Sequence, residues 1–205
     1  MTTSMGSNSS KVRFEGLSRD DIVIIVIGPT GSGKSSFINS AVTKDILKVG
    51  HSLEPCTKDV EHVKCTVPNE GRKVVFVDTP SLNAERGAER EIESKINSWF
   101  KKAYGQKIPI AGILYLHRIT DVRLSENPAA QYEMFRRLCG DKFHCKVVLV
   151  TTMWKGMKGM KPGVGGQREH EIGENWRTMV ENGSTLERFK DTTESAWDIV
   201  KSLLQ

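Results

Sequence analysis

Gly28-Pro29-Thr30-Gly31-Ser32-Gly33-Lys34-Ser35 decides how this chain is read. It fills every fixed position of the phosphate-binding loop pattern G-x-x-x-x-G-K-[ST]. Glycines let the backbone curl so that successive N–H groups point at phosphate oxygens. Lys34 adds a positive charge at the β- and γ-phosphates, and the Ser35 hydroxyl is a Mg²⁺ ligand. The flanks agree. Ile22-Val23-Ile24-Ile25-Val26-Ile27 reads as a buried parallel strand. Ser36 opens a helix through residue 42 whose N-terminal dipole favours phosphate. The cofactor-binding set expected here is Gly28, Pro29, Thr30, Gly31, Ser32, Gly33, Lys34, Ser35 and Ser36. A Gly-rich turn between strand and helix is the bland alternative.

Working outward, apolar runs at 73–77, 110–116 and 146–150 read as three more buried strands. Residues 60–67 alternate apolar and polar, as an edge strand does, and 185–189 reads as a short last strand. Helical periodicity covers 85–104, 126–138, 169–181 and 195–204. Residues 155–168, rich in Gly, Lys and Met, read as a long loop. Strands alternating with helices predict a three-layer α/β domain of the P-loop NTPase type. Its sheet is mostly parallel with one antiparallel edge strand, and helices cover both faces. Residues 1–20, made of Ser, Thr, Gly and charge, read as a flexible tail, and 21–205 as one domain.

Composition narrows the classes. The 205 residues suit one large domain with a sizeable core. No apolar run reaches the roughly 18 residues of a membrane span, and the first residues read without the h-region expected of a signal peptide. Cys56, Cys65, Cys139 and Cys145 lack metal spacing and read as reduced thiols of a cytoplasmic protein. A net charge of +5 is modest and does not by itself point to nucleic acid.

Ligands of such sheets bind at the carboxyl ends of the strands. The loop, Asp78, His117-Arg118 and Thr151-Thr152 all fall there. Asp78 opens Asp78-Thr79-Pro80-Ser81, where a carboxylate holds the Mg²⁺ shell directly or through water. The usual guanine-nucleotide form is Asp-x-x-Gly, and Ser81 stands at the Gly. A plain strand-end turn is the alternative for Asp78. Thr57, in the loop after the first helix, is the candidate switch threonine and third Mg²⁺ ligand; a solvent-facing Thr is its alternative. His51, in the same loop, is a candidate for orienting water, although loop histidines are often bystanders. No Gln follows the Asp78 motif; Leu82 and Asn83 occupy that region.

The base-reading motif [NT]-K-x-D departs furthest. Thr152 fits its first position, but Met153 stands for the Lys and Lys155 for the Asp. A lysine cannot accept hydrogen bonds from guanine N1–H and N2–H₂. Trp154 offers either a stacking face for the base or packing under the following loop. Asp191, after the last strand, is the candidate replacement acceptor.

Several strings then resemble a known group. Gly112-Ile113-Leu114-Tyr115-Leu116-His117-Arg118-Ile119-Thr120-Asp121-Val122-Arg123-Leu124 resembles the strand and loop of the plant chloroplast import GTPases. Tyr115-Leu116-His117-Arg118-Ile119, Leu149-Val150-Thr151-Thr152-Met153-Trp154 and Ser195-Ala196-Trp197 resemble small AIG1-type G domain-containing proteins of fungi. Both belong with the septin-like GTPases and immune-associated nucleotide-binding proteins. The resemblance spans roughly 20–204 and implies a cytoplasmic GTPase using Mg²⁺ and GTP/GDP. It also implies a homodimer paired across the nucleotide face, with Arg123 where the import GTPases turn an arginine toward the partner. Catalytic candidates are then Lys34, Thr57, His51 and Arg123. The leading reading is GTP hydrolysis; a nucleotide-dependent assembly module with little turnover is the runner-up. ATP use stays open because the adenine-excluding Asp is missing.

Overall fold

The computed structural model describes residues 17–47, 49, 60–81, 88–105, 108–121, 133–134, 136–137 and 147–204. Its strands are β1 (Asp21–Ile27), β2 (Glu61–Thr66), β3 (Lys73–Asp78), β4 (Ile110–Arg118), β5 (Val147–Thr152) and β6 (Thr185–Arg188). Its α-helices are α1 (Lys34–Val42), α2 (Ala88–Gly105), α3 (Val164–Asn175), α4 (Arg177–Glu181) and α5 (Thr193–Leu204). The sheet order is β2-β3-β1-β4-β5-β6. Only the β2–β3 pairing is antiparallel among these, so the antiparallel edge strand sits where expected.

Alternate residues of each central strand feed two cores, as the two-residue strand period requires. Val23, Ile25, Ile27, Val75, Val77, Ile113, Tyr115 and Leu149 face Ile96, Trp99 and Ala103 of α2 and Ile172, Trp176 and Met179 of the α3–α4 region. Ile24, Val26, Val74, Phe76, Leu114, Leu116, Val148 and Val150 face Phe37, Ile38 and Ala41 of α1 and Trp197, Val200 and Leu203 of α5. Aromatic edges knit the second core. Phe37 meets Phe189 at 5.0 Å, and Phe76 meets Trp197 at 6.1 Å between ring centroids. Trp197 Nε1 donates to Ala41 O at 2.9 Å, which fastens α5 to the end of α1. Each buried aromatic pair of this kind stabilises by about 0.5–1.5 kcal/mol beyond its area.

Two expectations need correction. The stretch 155–168 is not one long loop: Trp154–Met157 form a 3₁₀ turn and α3 already begins at Val164. The helix expected over 169–181 is two helices, α3 and α4, meeting at the buried Trp176. At the other end, Leu17 packs on the first core and Ser18 N donates to Asp21 Oδ2 at 2.7 Å. Leu17 and Ser18, placed in the expected tail, are thus in contact with the domain. Residues 1–16 of the expected tail lie outside the described residues, as does nearly all of the helix expected at 126–138. Among the described residues, no helix is long and apolar enough to cross a membrane.

Candidate functional site

Register places the site. Val26 pairs with Asp78 of β3, and Ile27 pairs with Tyr115 of β4. The chain leaving β1 must therefore turn between the ends of β3 and β4. Gly28 makes that passage possible: a Cβ there would lie 2.3 Å from the Leu116 carbonyl oxygen. Gly33, in the left-handed region at φ 88, then delivers the chain into α1, whose start has no side-chain cap. An anion at the loop is the ordinary partner of such a helix start.

Lys34 is 6% exposed, so its ammonium lies in the loop rather than in solvent. It donates to Gly28 O at 2.9 Å, Pro29 O at 3.1 Å and Ser81 Oγ at 3.0 Å. Ser81, the departure from Asp-x-x-Gly, thus meets the loop through its hydroxyl. Ser35 Oγ donates to Asp78 Oδ2 at 2.9 Å. Two hard oxygen ligands from different elements converge there, a donor set that suits Mg²⁺. Thr79 Oγ1 donates to Val26 O at 2.9 Å and holds the end of β3 against β1. Thr30, Ser32 and Ser36 complete the loop and the first turn of α1, with Ser32 fully buried.

Thr152 proves to be a strut of the loop. Its hydroxyl proton is shared between Ser32 O at 2.8 Å and His117 O at 3.3 Å, tying β5 to both the loop and β4. Met153 follows in the left-handed conformation, φ 62. Trp154 Nε1 donates to Thr151 O at 3.2 Å and Thr151 Oγ1 at 3.1 Å. The Arg188 guanidinium lies over the Trp154 ring at 4.5 Å, and Glu169 of α3 pairs with Arg188. A methyl on Gly165 would stand 3.0 Å from Trp154 Cζ3. Of the two roles open for Trp154, packing under the following segment describes where the ring sits.

Lys155 and Asp191 meet at 3.6 Å. A carboxylate from the turn between β6 and α5 therefore lies beside position 155. Asp191 is held at φ 55 in that turn. Thr192 Oγ1 and Ser195 brace the turn, with Lys190 N donating to Ser195 Oγ at 3.1 Å. His117 is 2% exposed and packs edge-on to Trp176 at 5.7 Å. Burial is the main cause that pushes its pKa below the usual value; Asp121 opposes this and Arg118 adds to it. Thr57, His51 and Arg123 lie outside the described residues. Sequence reasoning missed the Thr152–Ser32 tie, the Glu169–Arg188–Trp154 stack and the Lys155–Asp191 pair. All three join residues far apart in the chain, and none has a local pattern that announces it.

The chain resembles known proteins in sequence and in fold. The AIG1 family model matches residues 22–160. The fold resembles Toc33 of Arabidopsis thaliana. A dimerisation-deficient mutant has a TM-score of 0.69 at 16% identity, covering 90% of this chain and 83% of that one. The complex with GDP and Mg²⁺ has a TM-score of 0.66 at 16% identity, covering 90% and 83%. Era of Aquifex aeolicus, bound to GDP and aluminium fluoride, gives 0.61 at 17% identity, covering 89% and 55%. Among curated proteins, GTPase Era of Campylobacter lari is 31% identical over 65 residues, 32% of this chain. The match covers only 21% of that relative's length.

Proposed function

We propose, for a chain that belongs to the AIG1 family, that the loop at the end of β1 binds guanine nucleotide with Mg²⁺ and hydrolyses GTP to GDP. One observation carries this reading most strongly: Lys34, Ser35 and Asp78 converge on the loop from α1 and β3. That is the arrangement that holds the β- and γ-phosphates and Mg²⁺ in P-loop NTPases. Lys34 is pre-placed to follow the β- and γ-phosphates, and loop N–H groups hold the phosphate oxygens without reorganising. Ser35 and Asp78 hold the ion, with Thr57 as the third expected ligand. The chemistry the ion supplies when bound is neutralisation of charge on the β- and γ-oxygens. The solved complexes of Toc33 with GDP and Mg²⁺, and with GMPPNP and Mg²⁺, support the same ligands here.

Asp191 is the base-reading acceptor in this proposal, with Lys155 at its side to donate to the guanine carbonyl. Guanine is then preferred over adenine, and Asp191→Ala should lose that preference, since an unreplaced acceptor is worth a few kcal/mol of discrimination. The strings at 115–119, 149–154 and 195–197 support kinship with the small fungal members of the family. The cysteine spacing read above favours the cytoplasm; Cys65, the cysteine among the described residues, is a free thiol.

Hydrolysis without a Gln after Asp78 should be slow in one copy alone. Dimerisation is important for the GTPase activity of the chloroplast translocon components Toc33 and Toc159, which supports pairing of two copies here. Arg123 is the residue to reach across. The second reading, assembly with little turnover, is favoured by the same missing Gln. One experiment separates these. The protein is incubated with Mg²⁺ and either GTP or ATP over a range of protein concentrations, and the products are resolved by chromatography. GDP from GTP, faster per subunit at higher concentration, is the expected result. Binding without GDP favours the assembly reading, and ADP formed as fast as GDP overturns guanine preference.

A further inference from the structure

Arg118 ends β4, next to the buried His117. One edge of its guanidinium is fixed: Nε meets Asp121 Oδ1 at 2.9 Å and Oδ2 at 3.1 Å. The other edge turns to the phosphate loop. A methyl placed on Gly31 would stand 3.2 Å from Arg118 Nη1 and 3.8 Å from Cζ. The backbone beneath is held from three sides. Asp121 N donates to Arg118 O at 3.2 Å, and Ile119 N to Thr152 O at 3.0 Å. Arg168 of α3 donates to Ile119 O and Thr120 O, each at 3.3 Å. The Asp121 pairing thus orients a partly exposed guanidinium, 40% accessible, toward the loop.

The base motif ordinarily carries a lysine directly after its first residue, and here that residue is Met153. The Met153 methyl lies toward the loop, 3.5 Å from where a Gly33 Cβ would be. The loop is thus without that cation and has Arg118 from β4 instead. We propose that Arg118 is a nucleotide-binding residue acting within its own chain, its outer guanidinium edge contacting the α/β-phosphate side of a nucleoside di- or triphosphate. This rests on the guanine-nucleotide reading of the loop. Backbone groups in the middle of a phosphate loop face the α- and β-phosphates, whereas the loop lysine reaches the β- and γ-phosphates. Gly31 belongs to the former, so Arg118 and Lys34 divide the phosphate chain between them. The planar fork suits this division, because Asp121 takes Nε while the Nη groups remain for oxygen acceptors. An arginine so placed strengthens GDP and GTP equally. One acting on the γ-phosphate in the transition state changes the rate instead.

The test is equilibrium titration of fluorescent GDP, and of GTP by competition, into the full chain and into Arg118→Ala and Arg118→Lys, at low and at high salt. Arg118→Ala should weaken both nucleotides by about tenfold, the scale of one charged hydrogen bond. It should also flatten the salt dependence, and Arg118→Lys should recover only part of the loss, because a single ammonium cannot hold Asp121 and reach the phosphates as the fork does. Equal affinity in Arg118→Ala and the parent overturns the inference. So does a loss confined to GTP, which would mark a γ-phosphate arginine, or an unchanged salt dependence in Arg118→Ala. A parent chain that binds neither nucleotide overturns the guanine-nucleotide reading itself, and this inference with it.

Discussion

Thr152 shows what one side chain at a strand end does in this site. It is 1% exposed, and its hydroxyl is the donor to both Ser32 O and His117 O. Thr152→Val keeps the shape and leaves a buried carbonyl of the loop without its donor. We expect about 1–2 kcal/mol of lost stability, read as a lower urea midpoint at constant m, together with weaker nucleotide binding. An unchanged midpoint would show that Ser32 O is satisfied another way. Asp78→Ala should leave the fold standing and remove the Mg²⁺ dependence of GDP binding, since its carboxylate meets Ser35 at the ligand end of the sheet. Binding that responds to EDTA as the parent's does would take Asp78 out of the metal site. Residues 28–35 and Asp78 were legible in the sequence because their chemistry is local: a run of fixed types after an apolar strand. Thr152 was legible as a motif position but not as a strut, because its partners come from two other strand ends. Arg118 was legible as a residue at the ligand end of the sheet, but its approach to Gly31 was not, since the packing of β4 beside β1 brings them together.

At the scale of elements, the sheet was readable and the α3 region was not. Apolar runs of five to seven residues identify parallel strands buried on both faces. The segment opening α3 reads Gly163-Val164-Gly165-Gly166, and glycine in a helix costs up to about 1 kcal/mol relative to alanine. Propensity therefore argues for loop. Tertiary packing decides otherwise, because Gly165 lets Trp154 lie close against the helix. Glu169, one turn on, pairs with Arg188 and receives Thr151 Oγ1 at 3.2 Å, so α3 is pinned to β5 and β6. Glu169→Ala removes these contacts together and frees Arg188 from its place over Trp154. A loss of about 1 kcal/mol is expected, small because the arginine is half exposed. The same variant should raise the exchange rate of α3 amides more than that of β1 amides. Uniform exchange across both would contradict the pinning role.

For the whole molecule, two cores flank the sheet, and the loops at its carboxyl ends hold the proposed site. His117 lies where these meet, and it links stability to pH. Its pKa in the folded chain is lowered, chiefly by burial. Folding thus favours the neutral ring, and the penalty for charging it appears as pH falls through the unfolded value of about 6.5. Stability should be undiminished above that pH and decline below it, and His117→Gln should flatten that decline between about pH 7.5 and 5.5. A decline of equal slope in the variant would assign it to other groups. Everything proposed for this chain rests on the loop at the end of β1 being a working nucleotide site. The most direct measurement is phosphate release from GTP by the parent and by Lys34→Ala, each with Mg²⁺ and with EDTA. Release is expected from the parent with Mg²⁺ only, and none above background from Lys34→Ala. Release at the parent's rate by Lys34→Ala, or by the parent in EDTA, would contradict it.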